Sequence, residues 1–176
     1  MLARVGVDGA YLLAVSTLEP RKNLVRLVAA YQSARPRLAE PWPLVVVGPA
    51  GWGDATPAAT DGAVLAGAVD AATLSGLYAA ARAVVYVPRV EGFGLPVVEA
   101  MRAGVPVVSS PVPAAGGAAL EVDPVDVDAI ASGIVRVAGD QALRAELVAA
   151  GRRRVAPLTW EAAARRHVEL WETLRR

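Results

Sequence analysis

Cysteine is absent from this 176-residue chain, which excludes disulfides, thiolate metal sites and a cysteine nucleophile, and fits a reducing compartment. An excess of either charge is absent too. Against 18 lysines and arginines stand 17 aspartates and glutamates, a net charge of +1, so no strong field recruits nucleic acid or an anionic surface. Partners must therefore be recognised locally. No segment offers the roughly 18 uninterrupted apolar residues of a membrane-spanning helix. The mean hydropathy of +0.40 comes instead from alanine and valine scattered among prolines, glycines and charges. The stretch from Met1 to Gly9 lacks the charged start and apolar core of a signal peptide, so secretion has no support. Histidine occurs once, and no metal-ligand constellation is present. The length fits one ordinary domain with a real core.

What is present is an alternation of two periods. Tyr11–Val15, Leu44–Val47, the weaker Val64–Leu65, Ala83–Val87, Val105–Val108 and Ala118–Val122 are short apolar runs that read as buried strands. Between them, helices are expected from about Asn23 to Ser33, Ala71 to Ala81 and Pro96 to Ala103. Pro106 suits a strand start or edge. The tail differs: Asp126 and Asp140 are expected N-caps, Gly151 is expected to end the second tail helix, and Thr159 to cap a third. On that last helix Trp160, His167, Trp171 and Leu174 share one face. Nothing acidic or nucleophilic is spaced to partner His167, so it reads as packed or solvent-edge rather than catalytic. The whole implies an α/β fold: a single Rossmann-like, doubly wound, mostly parallel sheet with a helical C-terminal tail.

In such sheets ligands bind outside the carboxyl ends of the strands. The candidate ligand loops are then 16–23, 48–54, 88–95 and 109–117. The most informative of them runs Glu91-Gly92-Phe93-Gly94-Leu95-Pro96 and continues to Glu99. Pro96 belongs in a first helical turn, so a helix begins near Leu95. Gly92 and Gly94 let backbone N–H groups approach a ligand, and the helix dipole there favours negative charge. Two carboxylates suit hydroxyls, although Glu99 is also what a helix start favours by itself. Phe93, the only phenylalanine, fits a plug beneath the turn.

In Glu19-Pro20-Arg21-Lys22-Asn23, two cations sit at a helix start against the dipole and need an anion, which a diphosphate or, for one of them, Glu19 would supply. Gly48-Pro49-Ala50-Gly51-Trp52-Gly53 does not match G-x-G-x-x-G and reads as a wall along which a ligand approaches the backbone, with Trp52 an exposed lid or a packed residue.

Taken together these residues resemble the retaining, nucleotide-sugar-dependent glycosyltransferases of the GT-B fold, in the large group called family 4. Glu91 and Glu99, seven residues apart by the count between them, match the family's E-x7-E signature, and Glu91–Pro96 its most specific stretch. Leu18–Asn23 matches the phosphate loop, especially as in bacterial mannosyltransferases of surface polysaccharide synthesis. Gly48-Pro49, Tyr78, Gly104–Val108, Val122–Pro124 and Leu158–Trp160 match further landmarks in order. Two stretches depart. Ser16-Thr17 stand where many relatives have an arginine after a glycine, which leaves the arginine role to Arg21, and the loop 109–117 lacks a longer Pro-Glu segment.

The resemblance implies roles for named residues. Arg21 and Lys22 would bind the donor diphosphate and serve with Glu91 as the catalytic group, Glu91 holding a hydroxyl of the transferred sugar. Glu99 would take the ribose hydroxyls. Phe93, Gly94 and Leu95 would offer backbone N–H groups, with Gly92, Gly48, Pro49 and Thr17 completing the donor site. No metal or other cofactor is expected, because cations and the helix start would carry the leaving-group charge.

GDP-mannose is the first candidate donor, and a glycan or lipid-linked molecule the acceptor. Only the C-terminal, donor-binding domain is matched. The chain is therefore expected to be a piece of a two-domain enzyme lacking its N-terminal acceptor domain, able to bind donor but inactive alone. The resemblance further implies a cytoplasmic enzyme, peripheral at the inner face of the membrane when whole. A dimer would form through apolar surface that the other domain covers. Two other classes account for less of the pattern. One is another GT-B enzyme such as a sugar-nucleotide epimerase or a phosphorylase-like protein, the latter needing a pyridoxal-phosphate lysine where Lys22 is the only lysine. The other is a non-catalytic interaction domain.

Overall fold

The computed structural model describes residues 7, 9–58 and 60–175. Most of the amino-terminal stretch read for a leader lies outside them. Six strands form one sheet in which every pairing is parallel: β1 (Leu12–Val15), β2 (Leu44–Val47), β3 (Ala63–Gly67), β4 (Ala83–Tyr86), β5 (Val107–Ser109) and β6 (Leu120–Glu121). Their order is β3-β2-β1-β4-β5-β6. The chain winds outward from β1 to β3, then returns to lay β4 on the other side of β1. The crevice above β1 and β4 is thus the topological switch point.

The side-chain period of two explains the layers. Leu13, Val45, Val84 and Val107 enter a core on one face, shared with α2 (Ala71–Ala80), α3 (Leu95–Arg102) and α5 (Gln141–Val155). Leu12, Ala14, Leu44, Val46 and Val85 enter the opposite core with α1 (Leu24–Ala34) and α4 (Val127–Gly139). All four residues of β2 and of β4 are buried, as continuous aliphatic strands covered on both faces must be.

The helix starts are those the cap residues imply. Asp126 accepts from the N–H groups of Asp128 and Ala129, Asp140 from Leu143, and Thr159 from Ala162 at the start of α6 (Trp160–Leu174). Helix α3 begins at Leu95 with Pro96 in its first turn.

Gly151 is the exception among the helix ends. Helix α5 runs on to Val155, and Gly151 is buried in its middle, where an added Cβ would stand 2.9 Å from Met101 Cγ. It is glycine because α5 lies close against α3, not because the helix stops. Phe93 does not plug the core either: it is 39% exposed, and Val112 and Ala114 occupy the space beneath the turn.

Candidate functional site

The loops following β1 and β4 meet at the switch point. The first makes a single 3₁₀ turn over Pro20–Lys22, then Asn23 in the left-handed region (φ 64°) delivers the chain into α1. Asn23 is buried, and its amide nitrogen donates to the carbonyls of Val87 and Pro124, which ties this loop to the end of β4 and to the loop before α4. The Arg89 N–H donates to the Arg21 carbonyl. These bonds place Arg21 and Lys22 directly beside the Glu91 turn.

Lys22 Nζ lies 2.5 Å from Glu91 Oε2 and donates to the Tyr86 hydroxyl at 2.7 Å. Tyr86 in turn donates to the same Glu91 oxygen. Glu91 Oε1 accepts from the Gly92 N–H at 3.0 Å. The Lys22 and Glu91 side chains are 10% and 14% exposed, so this pair is largely withdrawn from water. Burial alone would push the Glu91 carboxyl up, but the hydrogen bonds from Lys22 and Tyr86 and the lysine charge prevail and lower it to about 2. Glu91 is therefore an anion at any physiological pH. Tyr86 is pushed well above its ordinary value, first by burial and then by its bond to Glu91, and so keeps its proton.

Arg21 is more open, with 44% of its side chain exposed. It grips Glu19 at 2.7 Å and reaches Glu91 only at 3.5 Å. The expected partnership with Glu19 is thus present, and Glu19 is further fixed by a hydrogen bond from the Trp52 indole at 3.0 Å. Trp52 itself is 63% exposed. An ammonium has three protons and a guanidinium five, so both cations retain donors after these contacts.

The second carboxylate has its own tyrosine. Tyr78, from α2, donates to Glu99 Oε2 at 2.8 Å while Glu99 itself remains on the exposed side of α3. Burial and then the Glu99 charge raise Tyr78 far above the usual phenol range.

Most of the expected site residues line one of two clefts. Thr17, Arg21, Lys22, Gly48, Pro49 and Pro96 line one of about 330 Å³. Phe93, Leu95 and Glu99 line another of about 620 Å³, walled opposite by Trp160. Gly94 has φ 100°, and Val112 and Ala114 press to 3.2 Å and 3.3 Å of where its Cβ would be, so the turn needs glycine. At Gly92 an added Cβ would meet nothing within 4 Å, which leaves that side of the turn open to a ligand.

Gly48 is held against the loop that follows β1. Its missing Cβ would fall 1.9 Å from the Ser16 carbonyl oxygen. The close approach of that loop, whose Leu18 bridges to Ala50, requires glycine there. The loop 109–117 likewise acts as support. Ala114 donates its N–H to the Phe93 carbonyl at 2.8 Å, and Arg154 of α5 holds the carbonyls of Pro113 and Ala114.

Sequence reasoning passed over Tyr86, whose signal was a hydroxyl at the end of an otherwise aliphatic strand. It also passed over Ser16, whose buried hydroxyl beside the smaller cleft has no hydrogen-bond partner among the described residues. His167 bonds the Ala163 carbonyl and stands edge-on to Trp171, on an exposed helix. No helix among the described residues is long and apolar enough to cross a membrane.

A family model described as glycosyl transferases group 1 matches residues 9–140. The O-antigen chain mannosyltransferase B of Escherichia coli is 37% identical over 175 residues, an alignment covering 93% of this chain and 46% of that protein. Among solved structures, the sucrose-phosphate synthase of Thermosynechococcus elongatus superposes with a TM-score of 0.75 at 29% identity, over 98% of this chain and 47% of that one. An α,α-trehalose-phosphate synthase (UDP-forming) of Burkholderia vietnamiensis gives 0.76 at 16% identity over 98% and 47%, a likeness of fold alone. The chain spans about half the length of each of these proteins.

Proposed function

This chain belongs to the group 1 glycosyl transferases, and from that membership we propose that it is the donor-binding half of a retaining, metal-independent enzyme, holding a nucleotide-diphosphate sugar for transfer to a glycan or lipid-linked acceptor. The observation that carries the reading is the Lys22–Glu91 contact at the switch point, which sets a cationic loop and an acidic, glycine-rich helix start within one ligand's length. Arg21 and Lys22 bind the diphosphate through their remaining donors, the former as a planar fork and the latter as a point charge. Phe93, Gly94 and Leu95 add backbone N–H groups at the start of α3. Glu91 takes a hydroxyl of the sugar, and Glu99 takes the ribose.

In the transfer, the bond from the anomeric carbon to the diphosphate oxygen breaks while the acceptor oxygen bonds to that carbon. The acceptor proton leaves to the departing phosphate oxygen. Arg21, Lys22 and the start of α3 stabilise the charge that develops there. Glu91, fully ionised and weakly basic, is an acceptor of hydrogen bonds, neither the proton donor nor a good nucleophile.

A second domain would supply the acceptor site and exclude water, so the isolated chain binds donor without transferring it. The exposed Trp160, Val168, Leu170, Trp171 and Leu174 on α6 form the apolar surface through which it self-associates when alone. The similarity to an O-antigen chain mannosyltransferase makes GDP-mannose the first donor to test. A thermal-shift panel of GDP, UDP, ADP and their sugars checks the reading. Binding raises stability by about 2.7 kcal/mol at a hundred times the dissociation constant. No shift with any member refutes it.

A further inference from the structure

Glu91 has two oxygens in different surroundings. Oε2 accepts from Lys22 Nζ and from the Tyr86 hydroxyl, with Arg21 Nη1 farther off at 3.5 Å. Among the described residues Oε1 accepts only the Gly92 N–H at 3.0 Å, beside the open flank of the glycine turn. A carboxylate oxygen has two lone pairs, so Oε1 keeps one for a ligand while Oε2 is saturated.

Lys22 alone does not fix this orientation, because a point charge attracts either oxygen and leaves the carboxylate free to turn. Tyr86 is different. It is 3% exposed, belongs to a central strand, and its ring lies 5.3 Å from Lys22 Nζ. Its hydroxyl accepts from Lys22 and must then send its single proton to Glu91, which gives the network a direction. We infer that Tyr86 is a positioning residue for the sugar end of the donor: its hydroxyl holds Glu91 Oε2 so that Oε1 is presented to a sugar hydroxyl. The inference rests on the donor-binding reading above and adds to it the group that distinguishes a nucleotide sugar from the bare nucleotide. Burial, which keeps the phenol protonated, is consistent with a fixed donor.

The test compares wild type with Tyr86→Phe by titration calorimetry against three pairs of probes: GDP-mannose with GDP, UDP-glucose with UDP, and ADP-glucose with ADP. Phenylalanine keeps the ring and removes only the hydroxyl. The Lys22–Glu91 pair stays, so affinity for the diphosphate should change less than twofold. Affinity for the matching sugar should fall about tenfold, the scale of one hydrogen bond to a charged group. A residue that only supported the fold would weaken both alike.

A measurement on wild type covers the case in which Tyr86→Phe does not fold. The Glu91 carboxyl carbon resonance should move further with the sugar donor than with the matching diphosphate, which reaches Glu91 only through Lys22 and Arg21. Full retention of the sugar preference in Tyr86→Phe overturns the inference and leaves the donor reading standing. A Glu91 resonance indifferent to the sugar overturns the inference together with the role of Glu91 in that reading, and leaves diphosphate binding standing. A wild type that binds none of the six probes overturns both.

Discussion

Lys22 Nζ and Glu91 Oε2 meet at 2.5 Å although they lie 69 positions apart in the chain. Lys22 follows β1 and Glu91 follows β4, and the strand order makes those two strands neighbours. The contact therefore depends on the return crossover, and it places the two candidate halves of the site side by side rather than across a gap.

Removing the lysine tests the pair. Lys22→Ala leaves Glu91 with Tyr86, the Gly92 N–H and the longer Arg21 ion pair at 3.5 Å, but without its shortest charge contact. Denaturant unfolding should show a loss of about 1–3 kcal/mol. Calorimetry should show at least a tenfold loss in affinity for the nucleoside diphosphate itself, unlike Tyr86→Phe.

The acid dependence of stability follows from the same carboxylate. Folding lowers Glu91 from 4.5 to about 2, so its contribution is fully present above the ordinary value. It is lost as the pH falls through the folded one. Melting temperatures should therefore show no loss from Glu91 between pH 7 and 5, and should fall between about 4.5 and 2. Glu91→Gln should flatten the part of that fall that belongs to this group.

Two glycines separate folding from binding. An alanine at 48 drives its Cβ into the Ser16 carbonyl at 1.9 Å, so Gly48→Ala should lower the melting temperature sharply or prevent folding. An alanine at 92 meets open space. Gly92→Ala should melt close to wild type while losing affinity for the sugar donor, because the methyl group occupies ground the ligand needs.

Helix propensity and packing oppose each other at Gly151. Alanine would favour the helix by about 1 kcal/mol. Its Cβ would meet Met101 Cγ at 2.9 Å and Cβ at 3.3 Å, and overpacking of that kind costs about 1–3 kcal/mol. Gly151→Ala should therefore be net destabilising in urea, with little change in slope.

Much of this architecture was legible in the sequence for a physical reason. Strands covered on both faces are aliphatic throughout, and Asp126, Asp140 and Thr159 announce helix starts because their side chains serve orphan N–H groups. Gly151 misled because a glycine that ends a helix and one that lets two helices touch look the same until the neighbour is known. Gly48 poses the same ambiguity, because the Ser16 carbonyl of another loop accounts for glycine there whatever binds beside it. At the site, the residue types of Arg21, Lys22, Glu91 and Glu99 already spoke of charge and hydroxyls. That Tyr86 orients Glu91, and Tyr78 Glu99, depends on pairings of strands and helices that no local pattern records.

The most direct test of the account is to map backbone amide shifts of the wild-type chain as GDP-mannose is added, with UDP-glucose and ADP-glucose alongside. The account predicts saturable shifts gathered at Thr17, Arg21, Lys22, Gly92, Phe93, Gly94, Leu95 and Glu99 with one of these sugars. Shifts confined to the exposed face of α6, or none with any of the three, would contradict it.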